Sequence, residues 1–241
     1  QAGQVAIALE GEDLQLYPKS SLNGDGASNS EESTAMTVTN VAITVVGTAA
    51  AVFRPSPGGT ALSMAFGLRG KSSLSASEFI AEGNVDVNIG SESYVANGTP
   101  VQVRDGAKVS GRGSMRDKVF VGQGGTRRAT VSPGDSPGIL HVQDIYFDSD
   151  GALEIELFGN TVGSGYDQLH VTGDVSLGGA HLDVALGFSP ALGQEFMIIR
   201  NDGNDPVSGT FQGLPEGASL DIGGKRFHIT YRGGTGNDVV L

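Results

Sequence analysis

Oxygen-rich turns in this chain are the first places where chemistry could occur, as sites for a hard cation such as calcium. Residues 233–241 (GGTGNDVVL) fit the nonapeptide G-G-x-G-x-D-x-U-x, in which an Asp and backbone carbonyls from successive turns enclose the ion. The segments 148–151 (DSDG) and 201–205 (NDGND) also place carboxylate and amide oxygens in tight loops. Nonapeptide sites share ligands between stacked copies, and the sequence has a single copy. We therefore expect glycine and Asx turns rather than a metal site, with Asp148, Asp150, Asp202, Asp205 and Asp238 as the ligands if calcium does bind.

Paired carboxylates could support glycoside hydrolysis. Glu154 and Glu156 alternate along one predicted strand and so project from the same face, while Asp183 belongs to a later strand that could lie beside it. A sugar site also needs aromatic side chains to stack on the rings, and aromatic residues make up only 6% of the chain, without tryptophan. This composition argues against a carbohydrate-active enzyme.

Nucleophilic catalysis has even less support. The four histidines, His141, His170, His181 and His228, all fall at outward or edge positions of predicted strands, and the chain contains no G-x-S-x-G elbow. We predict no catalytic residue, no metal ligand and no cofactor.

Composition predicts an all-β protein. The chain has 38 glycines in 241 residues, far above the usual share of roughly 7%, without the G-X-Y period of collagen. Short alternating runs of Val, Ile, Leu and Thr between these glycines are typical of strands joined by tight turns.

The formal net charge is −12 and the longest basic run is Arg127-Arg128, so nucleic acid is not expected as a partner. No segment approaches the roughly 20 apolar residues of a membrane helix, and the absence of cysteine leaves the redox compartment open.

Two regions are expected along the chain. Residues 1–77 are predicted to be a β-rich segment that begins with an alternating strand at 5–9 and contains a polar loop at 19–33; residues 72–79 have mild helical character. Residues 78–241 are predicted to form a β-solenoid module, because the pentapeptides at 83–87 (GNVDV) and 173–177 (GDVSL) are alike and the tetrad Gly-Ala-x-Val/Leu begins at Gly106, Gly179 and Gly217.

Alternation identifies the residues expected to face the core of such a solenoid. In a parallel β-helix, short strands wind around a narrow apolar core and successive residues alternate between inside and outside. The predicted inward residues are Leu169, Val171, Val175, Leu177, Leu182, Val184 and Leu186. An antiparallel β-sandwich or jelly roll has the same short strands, so alternation leaves both folds open.

Residues 132–241 resemble a known family of bacterial proteins. The segments SPGDSPGILHV, GALEIEL, YDQLHVTGDVSLGGAHLDVAL and ITYRGGTGNDVVL are similar to the closing part of large surface proteins with autotransporter-associated β-strand repeats. The resemblance implies a right-handed parallel β-helix, export from the cell, and a role in adhesion, matrix or surface assembly. It implies no catalytic residues.

The predicted function is that of a secreted structural protein of the bacterial surface or matrix. A first residue Gln1, without an initiator Met, is typical of a mature end left by signal-peptide removal. The N-terminal strand is apolar, has no obvious hairpin partner, and is expected to add to a neighbouring copy and form a filament. The residues assigned to this self-assembly are Val5, Ala6, Ile7, Ala8 and Leu9. The alternative is a surface adhesin for a glycan or other cell-surface ligand, with Tyr94, Tyr146 and Tyr166 as scattered candidates.

Overall fold

The described part of the chain in this computed structural model consists of β-strands joined by turns. It covers residues 5–10, 14–16, 34–39, 41–46, 50–53, 64–76, 78–95 and 98–241, with side-chain surroundings from Phe66 onward. These residues include no helix, which confirms the all-β prediction for them. The predicted polar loop at 19–33 lies outside the described residues.

The described strands are short, as the alternating runs and frequent turn residues predict. In chain order they are β1 (Val5–Glu10), β2 (Leu14–Leu16), β3 (Thr34–Thr39), β4 (Val41–Val46), β5 (Ala50–Phe53), β6 (Met64–Arg69), β7 (Ser73–Ser75), β8 (Glu78–Glu82), β9 (Val85–Ile89), β10 (Tyr94–Val95), β11 (Val101–Arg104), β12 (Lys108–Gly111), β13 (Ser114–Val121), β14 (Ala129–Pro133), β15 (Ile139–Phe147), β16 (Gly151–Leu157), β17 (Gln168–Val171), β18 (Val175–Ser176), β19 (His181–Leu186), β20 (Met197–Asn201), β21 (Ser219–Ile222), β22 (Lys225–His228), β23 (Thr230–Gly233) and β24 (Asp238–Val240).

Parallel pairing arranges these strands in three series. The first series is β1-β4-β7-β10-β13-β15-β17-β20, and the third is β3-β6-β9-β12-β14-β16-β19. The second is β2-β5-β8-β11, continued by the C-terminal halves of β13 and β15 and then by β18. The chain visits the series in turn and then returns to the first. Parallel pairing over residues 83–200 is thus confirmed, and an antiparallel sandwich or jelly roll is inconsistent with it.

In-register pairing places apolar residues of one series opposite one another, which builds the core. In the third series, Val109 lies opposite both Val87 and Val131, and Leu153 lies opposite Val131 and Leu182. In the second series, Val101, Val119, Ile145 and Val175 follow one another in the same way. All but Leu182 are buried. Because facing partners in a parallel ladder share the same orientation, each column stays continuous from turn to turn.

The predicted inward residues are confirmed to differing degrees. Leu169, Val171, Val175 and Leu177 are buried. Leu182, Val184 and Leu186 pack against the core but are only partly buried. Their strand, β19, is the last of the third series, so no further parallel strand among the described ones covers it.

The mild helical character predicted for residues 72–79 is wrong. This segment contains β7 and the start of β8, with Leu74 opposite Ile43 and Phe79 opposite Val101. Leu74 and Phe79 are both fully buried. Pairing with neighbouring strands and burial of these two side chains outweigh the weak local preference.

Strand pairing also continues across the predicted division at residues 77 and 78. Across this division, β5 pairs with β8, β6 with β9, and β7 with β10. The two-region division therefore stays a prediction, and no break in pairing marks it among the described strands.

The C-terminal part departs from parallel pairing and closes the core. β24 pairs antiparallel with both β20 and β23, and β21 and β22 form an antiparallel hairpin. Phe196 and Leu241 exchange two backbone hydrogen bonds of 2.9 Å each. The side chains of Phe196, Phe211, Phe227, Ile229 and Tyr231 join the same apolar cluster as the parallel strands. This end of the core is therefore covered by the chain's own residues.

Candidate functional surfaces

The C-terminal nonapeptide forms a hydrogen-bonded turn before β24. The buried Asp238 carboxylate accepts the Asn201 backbone N–H at 2.8 Å through Oδ1 and the Thr235 backbone N–H at 2.9 Å through Oδ2. Gly234 and Gly236 have φ values of +54° and +107°, which let the chain turn sharply enough to bring Thr235 onto that carboxylate. Asp238 thus fastens the last strand to β20.

The neighbouring loop at 201–205 is held by amide side chains. Asn201 Nδ2 donates to the Asp205 carbonyl at 2.8 Å, and Asn237 Nδ2 donates to the same oxygen at 3.1 Å. Asn201 Oδ1 and Asp205 Oδ2 are buried without a hydrogen-bond partner. Within the described ranges, no group of three or more His, Cys, Asp or Glu could hold a metal ion. The expectation that stability does not depend strongly on calcium stays a prediction.

Asp150, in the acidic loop at 148–151, accepts hydrogen bonds from the loop between β13 and β14. Asp150 accepts the Gly124 N–H at 3.2 Å and the Gly125 N–H at 2.6 Å, while the Gly151 N–H bonds the Asp148 carbonyl at 2.9 Å. The carboxylate therefore satisfies two backbone donors of the loop between β13 and β14.

The carboxylates considered for glycoside hydrolysis are brought together only in part. Glu154 lies opposite Asp183 in the β16–β19 ladder, as the sequence predicted. Lys108 pairs with Glu154, and Arg128 pairs with Asp183 at 3.0 Å. Glu156 is not part of this arrangement, and its Oε2 is buried without a hydrogen-bond partner. Two charge-balanced surface pairs stabilise the ladder modestly.

Asp167 is a buried carboxylate that the sequence did not single out. Its Oδ1 accepts the Gly138 N–H at 2.7 Å, and its Oδ2 accepts the Glu156 N–H at 2.8 Å. Burial, together with the nearby Glu156, raises the pKa of Asp167 to about 6, against the lowering effect of these two hydrogen bonds. Asp167 lies just before β17, and its two hydrogen bonds connect it to the residue that precedes β15 and to β16. No short motif surrounds it, so only the fold reveals its role.

Histidines of successive turns lie side by side on the outer face of the first series, with their ring planes tilted at 51°. His141 lies opposite His170, which lies opposite Arg200, and the two imidazole centroids are 5.0 Å apart. Partial loss of water lowers the pKa of His141, and the same cause, with the charge of His141 and Arg200, lowers the pKa of His170. His181 and His228 lie apart from this pair, on β19 and β22.

An aromatic pair lies on the outer face of the second series. Phe120 and Tyr146 stack with centroids 5.3 Å apart and planes at 19°, and Tyr146 Oη donates to Asp174 at 2.9 Å. Tyr94 lies beneath the Arg116 guanidinium, 3.8 Å from the ring centroid. Tyr166 is buried against Phe196 and is therefore no surface candidate. The sequence did not single out Phe120, because the alternation of residues along its own strand does not show that Tyr146 lies opposite it in the next turn.

The N-terminal strand predicted to mediate assembly has a partner in its own chain. β1 pairs in parallel with β4, with Val5 opposite Val41 and Leu9 opposite Val45. β1 is the first strand of its series, so its other edge has no partner among the described strands. The side chains of Val5 to Leu9 lie outside the described side chains, and their part in assembly stays a prediction.

A cleft of about 810 Å³ opens at the C-terminal end of the core. It lies between residues 190–195 and the strand β22. Its lining includes Leu192, whose side chain is fully exposed, together with Phe227 and Leu241. This is an apolar surface in contact with water, next to β22, which pairs with β21 alone among the described strands.

No protein-family model, curated protein or solved structure matches this chain. Among the described residues, no helix is long and apolar enough to cross a membrane. The functional argument therefore depends on the chain's own residues.

Proposed function

We propose that this chain is a β-solenoid scaffold of the bacterial surface or extracellular matrix that associates with itself end to end. The three parallel series would be the faces of a right-handed parallel β-helix. The order in which the chain visits the series and returns supports this interpretation, since parallel crossover connections are almost always right-handed.

The observation that carries the proposal is the apolar column behind the second and the third series, combined with a strand edge that has no partner among the described strands. The columns through Val109 and Val119 use buried residues of successive turns from Phe66 onward, which suits a rod whose stability comes from stacking. The outer edge of β1 is this edge without a described partner. Such an edge is a template for another strand.

Export and surface location are supported by the resemblance of residues 132–241 to repeat-bearing surface proteins. A structural role also agrees with the chemistry of the polar side chains. Asp150, Asp167 and Asp238 each accept backbone N–H groups. Glu154 and Asp183 are balanced by cations. These groups are used in holding the fold.

Light scattering coupled to size-exclusion chromatography tests the proposal. We expect the full-length protein to form species whose mass grows with concentration. Deletion of residues 1–10 should leave a folded monomer. A matched deletion of ten residues from the polar segment, 20–29, should leave assembly intact. A full-length protein that stays monomeric at high concentration, or a 1–10 deletion that assembles like the parent, would overturn the proposal.

The second candidate function is binding of a glycan or other cell-surface ligand, which the Phe120–Tyr146 pair favours. Two stacked aromatic rings on an outer face offer apolar surface against which a sugar ring can pack, and Asp174 beside Tyr146 offers acceptors for hydroxyl groups. Screening against immobilised glycans would test this. Phe120→Ser should abolish a true signal, whereas Phe158→Ser, which removes an exposed phenyl ring elsewhere, should not.

A further inference from the structure

We propose that the C-terminal cleft receives the N-terminal strand β1 of a second copy, an inference that rests on the proposed self-association. The interface would join the outer edge of β1 to the edge of β22 that lies away from β21, neither of which has a partner among the described strands. The acidic residues that follow β1 would lie against the basic residues of β22.

The cleft has the surface that such an occupant requires. Apolar side chains of Leu192, Phe227, Val240 and Leu241 line it. Leu192 is fully exposed. Its neighbours Pro190 and Ala191 are also apolar and line the same cleft. A large aliphatic side chain held in water beside an apolar cleft gains free energy when a partner covers it.

A backbone edge is available beside the same cleft. β22 pairs only with β21 among the described strands, and its residues Lys225 to His228 line the cleft. Addition of an extended segment to such an edge supplies main-chain hydrogen bonds, while side chains alternately enter the cleft. This is the usual geometry of strand addition.

β1 can take part without leaving its own sheet. Its pairing with β4 uses one edge of the strand and leaves the other edge without a described partner. The sequence VAIAL at 5–9 is apolar throughout, which suits a strand covered on several sides. The contact would therefore extend existing sheets from one copy into the next. It is a heterologous contact, so repeated addition gives a filament unless the rotation closes a ring.

Charge sets the direction of the contact. Immediately after the apolar run come Glu10, Glu12 and Asp13. The cleft carries Lys225 and Arg226, with Glu195 as its acid. Arg226 forms an exposed pair with Asp221 at 3.2 Å, whereas Lys225 forms no ion pair with a described residue. In a chain of net charge −12, a basic lip opposite an acidic segment favours this end-to-end encounter over others.

A charge-swap experiment tests the contact. One variant, Lys225→Glu/Arg226→Glu, has an acidic cleft, and the other, Glu12→Lys/Asp13→Lys, has a basic N-terminal segment. Each variant alone should need at least about tenfold higher concentration to associate, in analytical ultracentrifugation, than the wild-type protein. Mixed in equal amounts, the two should associate again, since each then meets a complementary end of the other. Arg127→Glu/Arg128→Glu is the matched control and should associate like the wild type.

Leu192→Asp provides a second route that does not depend on these charges. Because this side chain is fully exposed, the variant should keep the melting temperature of the parent while its association weakens. If the wild type associates but both charge variants and Leu192→Asp associate equally well, the cleft assignment is wrong and self-association stands. Failure of the mixture to associate, when each variant is folded and monomeric, would also overturn it. A wild type that never associates would defeat the proposed function itself.

Discussion

Two buried aspartates, Asp167 and Asp238, act as acceptors for backbone N–H groups that strand pairing leaves free. Asp167 satisfies two such groups from different strands, and Asp238 satisfies the N–H of Asn201 and of Thr235. An unpaired buried N–H costs about 1–3 kcal/mol, so each carboxylate stabilises a junction between turns. Burial also disfavours the charged form of Asp167, which makes its effect on stability dependent on pH.

Stability should report the titration of Asp167 between pH 4 and pH 6.5. Its pKa is raised to about 6 in the folded protein, above the unfolded value of 3.8, so the folded state binds the proton more tightly. Relative to Asp167→Asn, the wild type should lose about 2–3 kcal/mol of unfolding free energy as the pH rises through that window. Denaturant unfolding of both proteins at several pH values measures the difference. A constant difference would show that the carboxyl group is not perturbed.

The pair His141 and His170 should give a pH dependence of stability opposite to that of Asp167. The pKa of His141 and of His170 is lowered in the folded state, so the unfolded state binds protons more tightly as the pH falls below about 6.5. The groups facing His170 are His141, Arg200, Asp202 and Asp238. Between pH 7.5 and pH 5, the melting temperature of the wild type should fall more than that of His141→Gln/His170→Gln. Equal slopes would contradict the lowered pKa of the two histidines.

At the scale of elements, the sequence predicted most of the inward-facing residues and the parallel pairing over residues 83–200, but not where a series of strands ends. Alternation correctly placed Leu169, Val171, Val175 and Leu177, because burial of alternate residues is a local property of a strand. It could not show that β19 ends its series, which depends on strands far away in sequence. The same limit explains why Asp167 was missed and why residues 72–79 were predicted to be helical, since both depend on partners about one turn of the chain away.

Position along a column should decide the cost of removing a core side chain. Leu153 is fully buried between Val131 and Leu182, whereas Leu182 ends the column and is partly exposed. Leu153→Ala should cost about 2–5 kcal/mol of unfolding free energy, and Leu182→Ala clearly less, since its cavity opens toward the end of the stack. Chemical denaturation of the two matched variants provides the comparison. Equal losses would mean that the C-terminal residues cover β19 as fully as a parallel strand does.

At the scale of the whole molecule, the two ends of the stack differ. The first strand, β1, has an edge without a described partner, whereas antiparallel strands and the hairpin β21–β22 close the other end. The outer edge of β1 and the apolar cleft are two different surfaces at opposite ends of the stack. A contact between them is therefore heterologous, and successive copies would all point the same way. This asymmetry is the physical reason to expect growth by repeated addition rather than a closed dimer.

Electron cryomicroscopy of the purified full-length protein tests end-to-end assembly most directly. The longest run of paired strands leads from β1 through the first series to β24 and β23 and contains ten strands. At about 4.8 Å per strand, one copy should occupy about 50 Å along a filament. We predict unbranched filaments with that axial repeat, with strands perpendicular to the axis and a layer line near 4.8 Å. Isolated particles at every concentration, or filaments whose strands run along the axis, would contradict the account.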